Sequence, residues 1–261
     1  MNSTKPTIKI TFLGTGTSTG VPMIASKSPV AKSNNPKDKR LRSSILVSWN
    51  NVNYVIDCGP DFRQQMIREE VSSINGILLT HEHADHIAGL DDIRPFGFQL
   101  GEVPMYLSKR VLENLKIRYA YIFRTENRYP SAPKVKATVI SHAENFMLDG
   151  LEVIPIEVLH GSLPILGYRF GSFAYLTDIK TISEEEKSKL KNLDTLVVTG
   201  LRKEPHATHF NLEEALHFIA EIQPKKAYLT HISELLGFHE EVSKELPNNV
   251  FLAYDGLKIE V

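Results

Sequence analysis

The sequence is poor in cysteine, because Cys58 is the only one among 261 residues. A single cysteine excludes a disulfide framework within the chain, and it also excludes a cysteine-rich zinc module. Cys58 stands between Asp57 and Gly59 at the end of a predicted strand, where we expect a small buried filler rather than a nucleophile.

Long apolar runs and an excess of charge are also missing. No apolar run approaches the ~20 residues that span a bilayer, so no membrane partner is expected. Residues 1–6 lack the apolar core of a signal peptide, which favours a cytoplasmic location. The formal net charge of −1 argues against nucleic acid as a partner. An apolar content of 42% indicates an ordinary globular chain, and we expect one domain over residues 1–261.

Four metal-ligand candidates stand within six residues, in the run His81-x-His83-x-Asp85-His86. The apolar residues 77–80 just before this run predict a buried strand. If the chain stays extended, its period of two places His81 and His83 on one side. A turn or helix start at Ala84 would then direct Asp85 and His86 toward the same point. This pattern favours a metal site over a polar surface loop.

Other ligand candidates come from distant parts of the chain. Side chains at strand ends can converge on one edge of a sheet, where the frame is rigid. Three candidates each follow a predicted strand: His160, Asp178 and His231.

Four pairs of short strands are predicted to form antiparallel hairpins. The residues between them are Asn-Asn, Asp-Gly or Gly-Ser pairs, which tolerate the positive φ of two-residue loops. The predicted pairs are 45–49 with 52–57, 145–148 with 151–158, 165–170 with 173–177, and 250–254 with 257–261.

Helices are predicted between these strands. Ser183 and Asn211 each precede a glutamate by three residues, the spacing of a capping box. Residues 108–119 and 232–246 are further helix candidates, and strands are predicted at 195–199 and 226–230. Runs of strands followed by helices, twice over, predict an α/β (α+β) fold with two mixed sheets packed face to face and helices outside.

The complete set of candidate ligands resembles that of the metallo-β-lactamase superfamily. The resemblance implies a four-layer αββα sandwich and a hydrolase with two metal ions. By this resemblance one ion is held by His81, His83 and His160, the other by Asp85, His86 and His231, and Asp178 bridges them.

Flanking segments resemble one branch of that superfamily, the phosphodiesterases that open phosphoribosyl 1,2-cyclic phosphate in bacterial phosphonate degradation. These segments are 13–22, 38–44, 89–96 and 229–233. Members of that branch commonly carry a structural zinc held by three cysteines and a histidine. At the matching positions this chain has Ser26, Ser28, Ala31 and Glu234. Serine hydroxyls and alanine cannot replace thiolates as zinc ligands. We therefore predict no structural zinc, with the loop 25–41 ordered by hydrogen bonds or packing.

The implied chemistry is hydrolysis of a small phosphodiester, with cyclic phosphoribosyl esters among the candidates. Two divalent ions about 3.5–4 Å apart can share a hydroxide, which then attacks phosphorus. Zinc or manganese suits these ligands, and iron is also compatible. Asp85 and Asp178 act as catalytic ligands in this interpretation. His209 is expected beside the leaving oxygen as a catalytic and substrate-binding group, with His206 as the second choice.

Two other functions use the same ligands. One is a tRNA-processing ribonuclease, against which the near-neutral charge counts. The other is a non-catalytic, metal-holding accessory protein of cofactor biosynthesis, against which the full set of seven ligands counts. The resemblance also implies a homodimer.

Arg40 and Arg42 are expected in a solvated basic loop.

Overall fold

The chain forms two compact units, each built on one seven-stranded sheet, in a computed structural model that describes residues 6–261. The first unit comprises the chain up to Leu13 together with Ser44–Ile140 and Gly256–Val261. The second unit comprises Gly14–Ser43 and Ser141–Asp255. The expectation of one domain over the whole chain stays a prediction.

The sheet of the first unit is mixed. Its strands are β1 (Lys9–Gly14), β2 (Ser44–Trp49), β3 (Val52–Ile56), β4 (Gly76–Leu78), β5 (Val103–Leu107), β6 (Val135–Val139) and β14 (Lys258–Glu260), in the order β14-β1-β2-β3-β4-β5-β6. Strands β3 to β6 run parallel, whereas β2–β3 and β1–β14 are antiparallel. The helices of this unit are α1 (Phe62–Arg68), α2 (Ala84–Ile87), α3 (Arg94–Leu100), α4 (Lys109–Arg118) and α5 (Ala120–Phe123), with a 3₁₀ turn at Leu90–Ile93.

The sheet of the second unit is also mixed. Its strands are β7 (Phe146–Leu148), β8 (Leu151–His160), β9 (Leu163–Phe170), β10 (Phe173–Leu176), β11 (Thr195–Thr199), β12 (Lys226–Thr230) and β13 (Val250–Leu252), in the order β13-β12-β11-β10-β9-β8-β7. Strands β10 to β13 are parallel and β7 to β10 antiparallel. Its helices are α6 (Glu184–Ser188), α7 (Leu212–Ile222) and α8 (His239–Glu245), with 3₁₀ turns at Val30–Lys32 and Pro36–Asp38.

Each unit packs helices on its sheet through an apolar stripe. In the second unit, α7 places Ala215, Phe218 and Ile219 in the core beside strand residues. In the first unit, α4 buries Val111 and Leu115 in the same way. Burial of these side chains at helical spacing stabilises the helices more than their intrinsic propensity does. Among the described residues, none of the helices has the length and apolar character needed to cross a bilayer.

Three of the four predicted hairpins are confirmed, and the fourth is wrong. Strands β2–β3, β7–β8 and β9–β10 pair antiparallel as expected. Strand β13 instead pairs with β12, whereas β14 pairs with β1 in the other sheet. The Asp255 carboxylate accepts hydrogen bonds from the Thr15 hydroxyl and the Leu41 amide, at 2.7 Å each. These contacts fix the Asp-Gly turn where the chain passes from one sheet to the other. The Asp-Gly pair therefore does not close a hairpin, as its local sequence had indicated.

The predicted helices are confirmed except for half of one. Ser108 and Ser183 cap α4 and α6, and Asn211 forms a complete capping box with Glu214. The helix predicted over residues 232–246 begins only at His239. The preceding segment is held by backbone bonds instead, because the Ile232 amide donates to the Thr15 carbonyl and the Ser233 amide donates to the Leu201 carbonyl.

The loop 25–41 is ordered by hydrogen bonds. The Ser26 hydroxyl donates to the Glu234 carboxylate at 2.5 Å, which joins two of the four positions that the resemblance matched to zinc ligands. The Ser26 and Ser28 hydroxyls also accept backbone amides two residues further on. Direct polar contacts therefore hold this loop closed, and the absence of a structural zinc stays a prediction.

Arg40 lies in the protein interior, contrary to its expected place in a solvated loop. Its side chain is buried and donates to the Thr15 hydroxyl at 2.8 Å and to the Ala253 carbonyl at 2.5 Å. It also lies 3.1 Å from Nδ1 of His239. A guanidinium is only a donor, so this nitrogen of His239 is the acceptor. Burial lowers the pKa of Arg40 to about 10, which leaves it charged at neutral pH.

We predict that Arg40→Met lowers the free energy of unfolding by about 3 kcal/mol, because it leaves the buried partners of the guanidinium unpaired. Urea unfolding measures this loss. Arg42→Met is the control, since Arg42 is partly exposed and should change stability by less than about 0.5 kcal/mol. Equal losses in the two variants would show that the buried contacts of Arg40 contribute nothing specific.

Candidate metal centre

Three ligand candidates leave the same edge of the sheet in the second unit. His160 is the last residue of β8, Asp178 follows β10, and His231 follows β12. Strand β9 is antiparallel to both β8 and β10, so β8 and β10 point the same way. Strands β10, β11 and β12 are parallel. The carboxyl ends of β8, β10 and β12 therefore meet at one edge, as predicted from the strand ends.

In the first unit, the His81–His86 run has the conformation expected from its sequence. The chain remains extended after β4 through His83, with φ −65° and ψ 150° at His83, and α2 begins at Ala84. Nε2 of His81 lies 3.0 Å from Nδ1 of His83, so these two nitrogens face each other. The rings of His81 and His86 have centroids 4.2 Å apart.

Asp57 orients two of these histidines. Its Oδ1 accepts the Thr80 amide at 2.8 Å, and its Oδ2 accepts the Thr80 hydroxyl at 2.9 Å and Nδ1–H of His86 at 2.7 Å. The Thr80 hydroxyl has one hydrogen and gives it to Asp57, so its oxygen accepts Nδ1–H of His81 at 2.9 Å. This network assigns the hydrogen of both rings to Nδ1 and leaves both Nε2 atoms unprotonated, which is the state that a metal ligand needs.

The charge state of Asp57 reflects opposing effects. Complete burial raises its pKa above the ordinary value, whereas His86 and the Thr80 hydrogen bonds lower it. All three groups that contact the carboxylate are donors, which matches the acceptor-only ionised form. We therefore treat Asp57 as a carboxylate.

His160 and Asp178 receive similar support in the second unit. Nδ1 of His160 donates to the Thr208 carbonyl at 2.8 Å, which leaves its Nε2 available. The Asp178 amide donates to the Thr199 hydroxyl at 2.7 Å, and the Thr177 hydroxyl donates to Asp178 Oδ1 at 3.0 Å. Oδ1 of Asp178 also lies 2.9 Å from Nε2 of His231.

Three residues of the centre have left-handed backbone. Their φ values are 64° at Asp57, 57° at Asp178 and 55° at His231. Such a conformation in a non-glycine residue costs about 1–3 kcal/mol and persists where the surroundings impose it. Asp57 and His231 directly follow a strand, and Asp178 comes one residue after a strand. The strained turn at each residue therefore directs its side chain toward the edge of the sheet. Strain of this kind is typical of functional sites.

The structure brings the seven candidate ligands into two groups that share Asp178. Within each group, one ligand atom per residue lies within 4.8 Å of all the others. The groups are His81, His83, His160 and Asp178, and Asp85, His86, Asp178 and His231. Imidazole nitrogens and carboxylate oxygens are ligands for zinc, manganese and iron, with bonds of about 2.0–2.2 Å for zinc. The donor set and its spacing therefore fit divalent cations of this kind.

His209 lies beside these groups and His206 lies behind it. Nε2 of His209 is 3.8 Å from Asp178 Oδ1, and its ring stacks on His231 with centroids 4.9 Å apart. Nδ1 of His209 is 3.1 Å from Nδ1 of His206. Burial, with a further contribution from His231, lowers the pKa of His209 to about 3, so the ring is neutral at pH 7. Burial also lowers the pKa of His206.

A close backbone contact joins the motif helix to the Asp57 turn. The Cys58 amide donates to the His86 carbonyl at 2.9 Å, and the Gly89 amide donates to the Cys58 carbonyl at 2.8 Å. A Cβ on Gly89 would lie 2.2 Å from the Gly59 carbonyl oxygen. Only glycine fits there, so the chain can bring Asp57 within hydrogen-bond distance of His86.

Sequence reasoning missed two supporting side chains, Thr80 and Glu82. The Thr80 hydroxyl donates a hydrogen bond to Asp57 and accepts one from His81, so it connects these two residues. The Glu82 carboxylate binds Arg110 at 2.6 Å. The Asp91 carboxylate, a few residues after the motif, binds Arg94 and Tyr121. The one signal in the sequence for this support was a threonine directly before the motif. Its contact with Asp57 can be recognised only when β3 and β4 are known to pair in parallel.

We predict that Asp57→Asn weakens divalent-metal binding about 10- to 100-fold, because an amide offers one acceptor oxygen where the carboxylate uses two. Competition with a chelator of known affinity measures the effect. Glu102→Gln removes an exposed carboxylate of the same unit and should leave the affinity unchanged. An unchanged affinity in Asp57→Asn would show that its hydrogen bonds do not prepare the ligands.

The chain is similar to a known protein family and to solved structures. The model of a beta-lactamase superfamily domain matches residues 52–232. The crystal structure of a diphosphatase from the PhnP family is 41% identical with a TM-score of 0.91, and the alignment covers 98% of this chain and 97% of that one.

Two curated relatives carry different names. An octanoyltransferase of Porphyromonas gingivalis is 39% identical over 249 residues, which are 95% of this chain and 50% of that protein. A ribonuclease Z of Methanococcus maripaludis is 30% identical over 172 residues, which are 62% of this chain and 48% of that protein. The chain thus spans about half the length of each of these two relatives.

Proposed function

The chain belongs to the beta-lactamase superfamily, as a hydrolase of the PhnP type, and from that premise we propose that it is a dinuclear phosphodiesterase. The predicted fold class is confirmed, since two mixed seven-stranded sheets with helices form the αββα sandwich fold of this family. The diphosphatase and ribonuclease Z relatives support a metal-dependent hydrolase. The number of ions, the phosphodiester substrate and the roles of single residues are our proposal.

The observation that carries the proposal is the pair of ligand groups sharing Asp178. We assign one cation to His81, His83 and His160 and a second to Asp85, His86 and His231, with Asp178 common to both. Divalent cations held there would lower the pKa of water and neutralise the non-bridging oxygens of a phosphodiester. Zinc and manganese are our leading candidates, and iron is compatible with the same ligands.

The substrate class follows from the relatives and from charge. A diphosphatase and a ribonuclease both break P–O bonds, which supports a phosphoric ester as substrate. The formal net charge of −1 favours a small phosphodiester over a polynucleotide, whose binding depends on neutralised phosphates. A ribonuclease is therefore the second candidate.

Two other activities are less well supported. A thiol-dependent acyl transfer needs a reactive thiolate, whereas Cys58 is fully buried and burial raises its pKa. The octanoyltransferase relative is twice as long as its match to this chain, and we assign that transfer to its other half. A non-catalytic metal-holding protein has no need for all seven ligands, which this chain retains.

His209 is the chain's own candidate for contact with the leaving group. Its neutral ring has Nδ1 near the Thr208 hydroxyl, at 3.0 Å, and near His206. We propose that its Nε2–H, on the side of Asp178, donates a hydrogen bond to the leaving oxygen. His206 holds the ring in place from behind and is the weaker candidate for direct substrate contact.

The proposed activity is tested by hydrolysis of bis(p-nitrophenyl) phosphate before chelation, after chelation and after Zn²⁺ or Mn²⁺ is restored. We expect turnover that is lost and regained, and about two equivalents of metal per chain. Asp178→Ala should abolish turnover and reduce bound metal. No turnover in the reloaded wild type would favour the accessory protein, and cleavage of tRNA precursors but not small diesters would favour the ribonuclease.

We predict that His209→Ala slows diesters with alkyl leaving groups at least tenfold more than aryl diesters, because a poor leaving oxygen needs the hydrogen bond more. The ratio of kcat values for the two substrates measures this. His217→Ala, on α7, is the matched control and should leave both rates unchanged. Equal losses on both substrates would remove His209 from the leaving-group role.

A further inference from the structure

Helix α4 of the first unit bonds to the ligand motif from the side opposite to its first two ligands. The extended chain places His81 and His83 on one side and Glu82 on the other. The Glu82 side chain is 8% exposed, and its Oε1 accepts a hydrogen bond from Nη1 of Arg110 at 2.6 Å. The carbonyl oxygen of Glu82 accepts one from Nη1 of Arg118 at 2.7 Å. The residue between two candidate ligands is therefore bonded to both ends of one helix.

The sequence of α4 directs Arg118 toward the motif. Val111 and Leu115 are fully buried, and Arg118 continues their spacing at i, i+4 and i+7, so all three lie on one face of the helix. Strand β5, which precedes α4, pairs in parallel with β4, which precedes the motif. An arginine at the end of a helix can bond the last carbonyls of that helix. The guanidinium of Arg118 instead donates to a carbonyl of the motif.

A second and longer hydrogen bond joins the end of α4 to the other end of the motif. The hydroxyl of Tyr119, the residue after α4, donates to the Ile87 carbonyl at 3.2 Å. The carbonyls of Glu82 and Ile87 bracket three of the four candidate ligands in this run. The backbone that carries these three ligands is therefore held at two points by the same helix end.

The position of the His83 ligand atom depends closely on its backbone. The nitrogen of His83 that faces His81 is Nδ1, which is bonded to Cγ and so lies nearer to the main chain than Nε2. The rings of His81 and His86 are fixed by hydrogen bonds at Nδ1, whereas in His83 the same atom is the candidate ligand. A tilt of the peptide that joins Glu82 to His83 would therefore displace this ligand atom directly.

The buried carboxylate of Glu82 supplies direction rather than apolar packing. An apolar side chain of similar size would fill its place without removing a charge from water. Its Oε2 is buried and has no hydrogen-bond partner within residues 6–261. The bond from Arg110 to Oε1 is directional, which an apolar contact is not. It fixes the Glu82 side chain against the first turn of α4.

We propose that Arg110 and Arg118 are positioning residues, which hold Glu82 and thereby place Nδ1 of His83 for its cation. The ring of His86 is fixed independently by its own hydrogen bond at Nδ1, so the second cation should depend less on the two arginines. The inference rests on the proposed metal centre, and its test therefore includes a measurement on the metal-free protein.

Amide hydrogen exchange of the chelator-treated protein, followed by NMR, tests the hold on the motif. The amides of His86 and Ala88 are hydrogen-bonded within the motif and report on its opening. We expect Arg118→Met to speed their exchange about tenfold or more. Arg118→Lys keeps a donor for the carbonyl and should recover most of the protection. Lys116→Met removes an exposed cation of the same helix and should leave the exchange unchanged.

Competition with a chelator for Zn²⁺ tests the consequence for the ligands. Arg118→Met and Arg110→Met should each weaken one of two equivalents about 10- to 100-fold and leave the other unchanged. Thermal melting within a few degrees of wild type shows that each variant is folded, and the two arginine variants test the proposal separately.

Two results would overturn the proposal: exchange at the wild-type rate in Arg118→Met, or equal weakening of both Zn²⁺ equivalents, which is the mark of a general structural role. A wild-type protein that binds no Zn²⁺ would contradict the proposed function instead. The exchange rates of the metal-free protein would then still decide whether the arginines hold the motif.

Discussion

The hydrogen bonds of the Asp57 carboxylate are the interaction on which the centre depends. Through Oδ2 it binds His86 directly and His81 by way of the Thr80 hydroxyl. One buried carboxylate thereby sets the tautomer of one histidine in each ligand group. A ring with the opposite tautomer would present N–H to a cation and could not bind it. The geometry of both groups therefore rests on a residue that is itself no ligand.

Strand direction explains how ligands from distant sequence meet. In the second unit the ligand candidates follow three strands whose carboxyl ends lie at one edge, and left-handed residues at Asp178 and His231 redirect the chain there. In the first unit all four candidates follow the single strand β4. Backbone contacts around Gly89 hold the motif helix against the Asp57 turn. Rigid supports of this kind are what a metal centre needs, because ligands must be held before the cation arrives.

Local signals in the sequence were sufficient for most elements. The Asn50-Asn51 and Gly171-Ser172 turns, the Asn211 capping box and the extended-then-helical course of the His81–His86 run all follow from neighbouring residues. The errors arose where distant contacts override local preference. Asp255-Gly256 bridges two sheets because Thr15 and Leu41 hold the aspartate, and Arg40 is buried because partners 25 to 213 residues away accept its hydrogen bonds.

In the candidate site, too, features set by neighbouring residues could be predicted from the sequence, and features set by distant contacts could not. The candidate ligands could be proposed from the sequence because their types and strand-end positions are local features, and their role as ligands stays a prediction. The role of Thr80 could not be proposed in this way, since it depends on β3 and β4 lying side by side in parallel.

Anomalous X-ray diffraction from crystals grown with Zn²⁺ would locate the cations and the atoms that hold them. We predict two anomalous peaks per chain, the first contacted by Nε2 of His81, Nδ1 of His83 and Nε2 of His160, the second by Nε2 of His86, with Asp178 touching both. A single peak, no peak, or a cation facing Nδ1 of His81 or His86 would contradict it.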